Sequence, residues 1–276
     1  MRPTTAAGAP LRLALVLDVA LADVLPDSGS SAPGELLRAV HDGDVGDGWL
    51  AQGTGLDYPV MIRAAHRALQ DAGALDDVRV VVLAVAVPDL QHERLLGGFV
   101  AHLFGDVAFA FAVGDQGSAG PFTALRLAHE QLLGTGGRAV VLALEQCTLP
   151  ADGSRRPARD RVVAIVADHG ADGRTVEELL VVRAPADPLG SGSLVAPLDA
   201  DRSPRPGGSR RPDPGAYSTG VWEVLARLTA DPARDDDALL VVDEDHDLRY
   251  RCELRLGPST AAPAATRALE TAGAVR

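Results

Sequence analysis

Three apolar runs constrain this chain most: R-V-V-V-L-A-V-A-V (79–87), R-A-V-V-L-A-L-E-Q-C (138–147) and R-V-V-A-I-V-A-D-H-G (161–170). Each is too short for a core helix of three turns and is rich in valine. Each lacks the polar alternation of a half-exposed strand. Runs of this kind predict strands buried on both faces, which requires layers above and below the sheet. Helical spacing between them supplies those layers. Residues 59–72 place apolar side chains at helical intervals, with Pro59 suited to the first turn and Gly73 to the cap. Residues 92–104 predict a second helix, closed by Gly105, and 121–133 a third, with Phe122, Leu125, Ala128 and Leu132 on one face. Further strands are expected at 11–19, 107–113 and 175–185, and a short helical piece near 35–40. The alternation argues for a layered α/β fold.

Composition excludes several chemistries. The 276 residues include 38 acidic and 26 basic side chains, a net charge of -12. Such a chain is poorly suited to duplex phosphates or anionic lipid, so no nucleic-acid or membrane partner is expected. Every basic residue is arginine, and asparagine is absent as well. That rules out a P-loop lysine, a Schiff-base lysine and any asparagine side chain in a mechanism. No apolar stretch approaches the ~18 residues of a spanning helix. The N-terminal apolar stretch is interrupted by Asp18 and Asp23, so it reads as a first strand rather than a signal peptide, and the expected location is cytoplasmic. Cys147 and Cys252 lie far apart in apolar surroundings and read as small buried hydrophobes, neither a disulfide nor a metal pair.

After residue 185 the pattern breaks. Residues 186–215 are rich in Pro, Gly, Ser and Arg and predict an exposed, partly disordered linker. One helix (218–230) and two strands follow, A-L-L-V-V-D-E-D and Y-R-C-E-L-R-L-G, joined near His246. The expected organisation is a first half at 1–185, the linker at 186–215, a short second half at 216–258 and a tail at 259–276. No internal sequence repeat is evident.

One stretch carries the chemical question. F-A-V-G-D-Q-G-S-A-G-P-F-T-A-L-R-L-A-H-E-Q-L-L-G-T-G-G-R-A-V-V-L-A-L-E-Q-C (111–147) reads as strand, tight turn, long helix, strand, with Ser118 at the helix start. Together with A-H-R-A-L-Q-D-A-G-A-L-D-D-V-R-V-V-V-L-A-V-A-V-P-D (65–89), this order resembles the first half of thiolase-fold condensing enzymes, and most of all the ketoacyl-ACP synthase III group. The resemblance covers roughly residues 10–185. It implies a thiolase-like layered fold, helices around mixed β-sheets, with the second half truncated. No cofactor is expected, and no metal, because Asp243, Asp245 and Asp247 lack the turn glycine and final glutamate of a calcium loop.

In that family the turn carries a cysteine followed by Ala-Gly. Ser118 stands at the cysteine's position, followed by Ala119 and Gly120. A thiolate at a helix N-terminus is stabilised by the dipole and free amides. A hydroxyl gains far too little from the dipole, ~0.3–2 kcal/mol, and needs a positioned base. The family's asparagine cannot exist here, and the segment that should bring its histidine is missing. His246, flanked by Asp245 and Asp247, is the candidate base, and its alternative reading is a solvated hairpin loop. Ser118 likewise reads either as an acyl-accepting nucleophile or as a small residue fitting a tight turn.

The resemblance therefore implies a non-catalytic ketosynthase-like subunit, inactive alone. Such a subunit pairs with a catalytic ketosynthase-like chain, as heterodimer or heterotetramer, in fatty-acid-like or polyketide biosynthesis. The non-catalytic subunit of the alkylquinolone-synthesising heterodimer and the chain-length factors of polyketide synthases are of this type. The alternative is an acyltransferase working through Ser118 on acyl-CoA or acyl-carrier-protein thioesters. The arginines at 154–161 and 202–211 suit an acidic acyl carrier protein as a further partner. The family pairs its subunits through the strand before the turn, which puts Phe109, Phe111 and Val113 in a dimer interface.

Overall fold

A computed structural model describes residues 9–21, 56–86, 96–106, 109–147, 157–183 and 192–260. The helical piece expected near 35–40, residues 107–108, the start of the expected linker and the tail from 261 lie outside the described residues.

The three apolar runs become strands β2 (Val78–Val85), β4 (Arg138–Glu145) and β5 (Arg161–Asp168). Their side chains divide between two cores. Val141 and Ile165 point to one, Leu142 and Val166 to the other, and all four are at most 1% exposed. This two-sided burial is why the runs are continuous rather than alternating. The outer core is closed by helices α1 (Tyr58–Asp71) and α2 (Leu96–Leu103). Asp57 caps α1, accepting a hydrogen bond from the Val60 amide at 2.9 Å, and Gly73 at φ +63° closes it. The inner core holds helices α3 (Gly120–Thr135) and α4 (Gly220–Thr229).

Strands β1 (Arg12–Val19), β3 (Phe109–Val113), β6 (Arg174–Arg183), β7 (Leu194–Pro197), β8 (Leu239–Asp245) and β9 (Tyr250–Ser259) complete one sheet. Its order is β3-β2-β4-β5-β1-β6-β9-β8-β7. β2, β3 and β4 are mutually parallel, and the other pairings are antiparallel. β1 and β6 share only the pairs Arg12↔Thr175 and Leu13↔Arg174. That narrow join lets the two flanks of the sheet sandwich α3 and α4.

The flanks are built alike. β1-β5-β4 and β6-β9-β8 are both antiparallel triplets, and α3 leads into β4 as α4 leads toward β8. Ser118-Ala119-Gly120-Pro121-Phe122 opens α3, and Ser218-Thr219-Gly220-Val221-Trp222 opens α4. Phe122 and Trp222 meet ring to ring, centroids 4.8 Å apart at 53°. The duplication, not evident in the sequence, is therefore structural, with a serine, a glycine and an aromatic marking the start of each inner helix.

Two boundaries differ from expectation. β6, counted with the first half, pairs with β9, because Val176, Leu179 and Val181 turn inward alongside Cys252, Leu254 and Leu256. Within the expected linker, Leu194–Pro197 forms β7, with Val195 and Ala196 fully buried against β8. The chain then folds back on β7 through the bridges Leu198↔Pro204 and Val195↔Arg210. Proline-rich backbone is tolerated there because β7 is the sheet edge.

The second flank has four strands and, among the described residues, one α-helix, which lies inside. On its outer face Arg251 pairs with the buried Glu244 at 2.9 Å and with Glu253 at 2.6 Å, Arg255 pairs with Glu178 at 3.1 Å, and Leu198, Leu240 and Val242 form a small apolar cluster. The alternation of Y-R-C-E-L-R-L records one face in the core and one in water.

Gly173 turns the chain from β5 into β6 at φ +95°, and a Cβ there would lie 2.3 Å from the Leu13 carbonyl oxygen. Gly173→Ala is expected to lower stability by about 2 kcal/mol, read from denaturant midpoints. Gly134, inside α3 with open space around it, is the control. Gly134→Ala is expected to be neutral or stabilising, by up to ~1 kcal/mol.

Candidate functional site: the paired helix starts

β3 delivers the chain to a tight turn through Asp115 at φ +57° and Gly117 at φ +49°. A short 3-10 turn, Gly117–Ala119, then opens α3. This is the expected strand–turn–helix, and Ser118 sits at its centre, fully buried. Its hydroxyl has no hydrogen-bond partner.

The backbone amide of Ser118 is engaged. It donates to Asp245 Oδ2 at 3.1 Å, and the same oxygen accepts from the Tyr217 hydroxyl at 2.9 Å. Asp245 Oδ1 accepts from the amides of Asp247 at 3.1 Å and Leu248 at 2.9 Å. The carboxylate thus fastens the β8–β9 turn to the start of α3. Space is filled too: a Cβ on Gly117 would lie 2.2 Å from Asp245 Oδ2 and 2.2 Å from the Tyr217 hydroxyl, with Leu248 at 3.0 Å.

His246 lies on that same turn but is exposed, and it makes no hydrogen bond to Ser118. The structure does not bring the two together. The carboxylate expected to orient His246 holds the Ser118 amide instead. Asp247 is exposed beside it. His169 pairs with His129 of α3, His169 Nε2 to His129 Nδ1 at 3.1 Å, rings perpendicular and centroids 5.2 Å apart. Phe109, Phe111 and Val113 lie on β3, the edge strand of the first flank. Phe109 is 59% exposed and meets the half-buried Phe111 with ring centroids 5.5 Å apart and planes tilted by 57°, while Val113 is buried.

The start of α4 mirrors that of α3 and was not anticipated. Glu145, the last residue of β4, is fully buried. Its Oε1 accepts from the amides of Tyr217 at 2.9 Å and Thr219 at 2.5 Å, just before α4. Its Oε2 has no hydrogen-bond partner. Thr219 donates its hydroxyl to Glu223 at 3.0 Å, and Glu223 accepts from the buried Arg161 at 3.1 Å. Arg161 also reaches Asp213 at 2.8 Å. Burial pushes the Glu145 carboxyl up to about 7, against the pull of the two amides and of Arg161. Burial, with Asp243 and Asp245 nearby, pushes the Cys252 thiol up, which keeps it protonated and unreactive. Sequence phase is the signal that reveals the acids. Leu239, Val241, Asp243 and Asp245 share the inward face of β8, so the acids inherit a buried register.

The chemistry open to the elbow turns on two groups, the Ser118 amide and the Ser118 hydroxyl. An oxyanion needs a free amide, and a serine nucleophile needs a base. Here the amide serves a carboxylate, and the hydroxyl has no acceptor for its proton.

The raised Glu145 carboxyl binds its proton more tightly folded than unfolded, so its contribution is full at acidic pH and is lost as pH rises through about 7. The stability of the native chain minus that of Glu145→Gln should therefore fall as pH rises from 4.5, the ordinary carboxyl value, to about 7, by up to ~3 kcal/mol in all. Denaturant titrations of both proteins across that range check it.

No family model matches the chain, and no curated protein matches it in sequence. Many solved structures match its fold. ChlB3, an acyltransferase, superposes with a TM-score of 0.59 at 15% identity, over 92% of this chain and 99% of its own. A variant of OleA from Xanthomonas campestris bound with cerulenin gives 0.57 at 12%, over 90% and 96%. AbyA1, a tetronic acid condensing enzyme, gives 0.54 at 16%, over 90% and 99%. The fold that the two helix starts organise, two strand-and-helix flanks closed around α3 and α4, is the thiolase-like fold of condensing enzymes.

Proposed function

We propose that this chain is a non-catalytic ketosynthase-III-like subunit that pairs with a catalytic condensing enzyme working on acyl thioesters in fatty-acid-like or polyketide biosynthesis. The observation that carries this reading is the hydrogen bond from the Ser118 amide to Asp245. A tetrahedral intermediate on Ser118 would set its developing negative charge beside that carboxylate, and like charges at contact disfavour one another. The thiolase-like fold supplies the context. Fold alone assigns no activity, so the weight rests on the filled elbow.

The β3 edge supports pairing. An exposed Phe109 on an unpaired edge strand is a liability for an isolated chain and an asset in a strand-to-strand interface. The exposed Arg210 and Arg211 offer positive charge to an acidic carrier protein.

Incubating the purified chain with a panel of acyl-CoA and acyl-carrier thioesters should leave its intact mass unchanged. An adduct that disappears in Ser118→Ala would overturn the reading and make the chain an acyltransferase with Ser118 as its nucleophile. Phe109→Arg should leave folding stability within ~0.5 kcal/mol while shifting assembled species to monomer in sedimentation. Assembly that survives the charge would place the pairing surface elsewhere.

A further inference from the structure

Tyr217 touches the starts of both inner helices. Its amide donates to Glu145 at the start of α4, and its hydroxyl donates to Asp245 at the start of α3. A single residue thus carries mechanical continuity from a fully buried carboxyl to the contact that fills the elbow. The geometry points to a proton-operated latch: protonation of Glu145 slackens its hold on the 217–219 turn, and Tyr217 then releases Asp245 from the Ser118 amide.

The charged form of Glu145 grips this turn. Ionised, its Oε1 accepts two amides at the positive end of α4, and such charge-assisted bonds are about twice as strong as neutral ones. Protonated, it loses that charge assistance, and its new hydroxyl hydrogen needs an acceptor that Oε2 does not meet at present. Burial opposes ionisation, the amides favour it, and the balance sits near neutral pH.

The charged groups around Glu145 do not hold it in one form. Arg161 on β5 stands opposite it in register, but that guanidinium is bound to Glu223 of α4 and to Asp213. Arg159 lies beyond, 4.0 Å from Glu223, and Asp160 is taken by the amides of Leu56 and Cys147. At the other end of Tyr217 the ionisable groups are Asp245 itself, with the exposed His246 and Asp247 on its turn. The His129–His169 pair bridges α3 to the far end of β5, away from Arg161 and the helix starts.

The inference rests on the reading of the elbow as filled by Asp245. Its test observes an amide rather than acylation, so the two can fail separately. In the full-length, isotope-labelled chain, the Ser118 amide proton is followed by NMR from weakly alkaline to weakly acidic pH. An amide donating to a carboxylate resonates downfield, so an upfield shift is expected as the pH falls, with its midpoint near neutrality. Glu145→Gln, neutral at every pH, should abolish the step and rest at the acidic position. Tyr217→Phe should abolish it as well, because the link to Asp245 is cut. A flat Ser118 resonance in the native chain overturns the latch. So does a step that persists in Glu145→Gln, which would trace it to Asp245 or His246. Should Glu145→Gln fail to fold, a step that survives Tyr217→Phe overturns it equally.

Discussion

Each half of this protein ends a strand with a carboxylate that caps the first turn of the other half's helix. Asp245, at the end of β8, takes the Ser118 amide before α3, and Glu145, at the end of β4, takes the amides of Tyr217 and Thr219 at α4. The first amides of a helix have no intrahelical acceptor. At the surface water serves them, but here the first turns of α3 and α4 are buried between the flanks. An acceptor must come from the protein, and a carboxylate at a helix N-terminus also meets the dipole. The exchange makes the halves interdependent. Neither inner helix is satisfied until the opposite flank is in place, and the Phe122–Trp222 contact closes only with the two helix starts set.

The exchange also explains why one layered core tolerates so many acids. Glu145, Glu223, Asp243, Glu244 and Asp245 are all buried, in a chain whose net charge is already negative. Each is anchored by donors. Asp243 accepts from Ser193 at 2.5 Å, Glu244 pairs with Arg251 at 2.9 Å, and Glu223 pairs with Arg161 at 3.1 Å. A pair buried on both sides, such as Arg161–Glu223, adds little net stability over apolar packing, yet breaking it leaves an uncompensated charge costing about 3–5 kcal/mol. Such a pair fixes the arrangement more than it strengthens it.

The sequence displays the first flank clearly because its strands are buried on both faces. V-V-L-A-L and V-V-A-I-V leave no ambiguity of environment. Asp57, Pro59 and Gly73 likewise mark both ends of α1 through local chemistry. The second flank is harder to read. β7 lies in proline- and glycine-rich chain, and only its pairing with β8 makes it a strand. The turn points to Ser118, but His246 becomes its candidate base only on element order, which fixes where a loop lies and not which side chains point inward. Strand phase fixes that. It selects Asp245 for the interior and leaves the next residue, His246, at the solvent. The doubled Ser-x-Gly-x-aromatic helix start is visible but short, and the halves agree too little elsewhere for a repeat to stand out.

Serine at 118 and aspartate at 245 are best understood together. A cysteine at a helix start is reactive because dipole and amides lower its thiol toward the thiolate. A carboxylate already bound to that amide takes both benefits and adds a like charge beside the sulfur, which pushes a thiol the other way. With Asp245 in place, a cysteine at 118 would keep its bulk and lose its advantage. A serine loses nothing, because its hydroxyl was never ionised by so small a field. The amide that an oxyanion would use ties the two halves of this structure together, so any charge developing on residue 118 would have to compete with Asp245 for it.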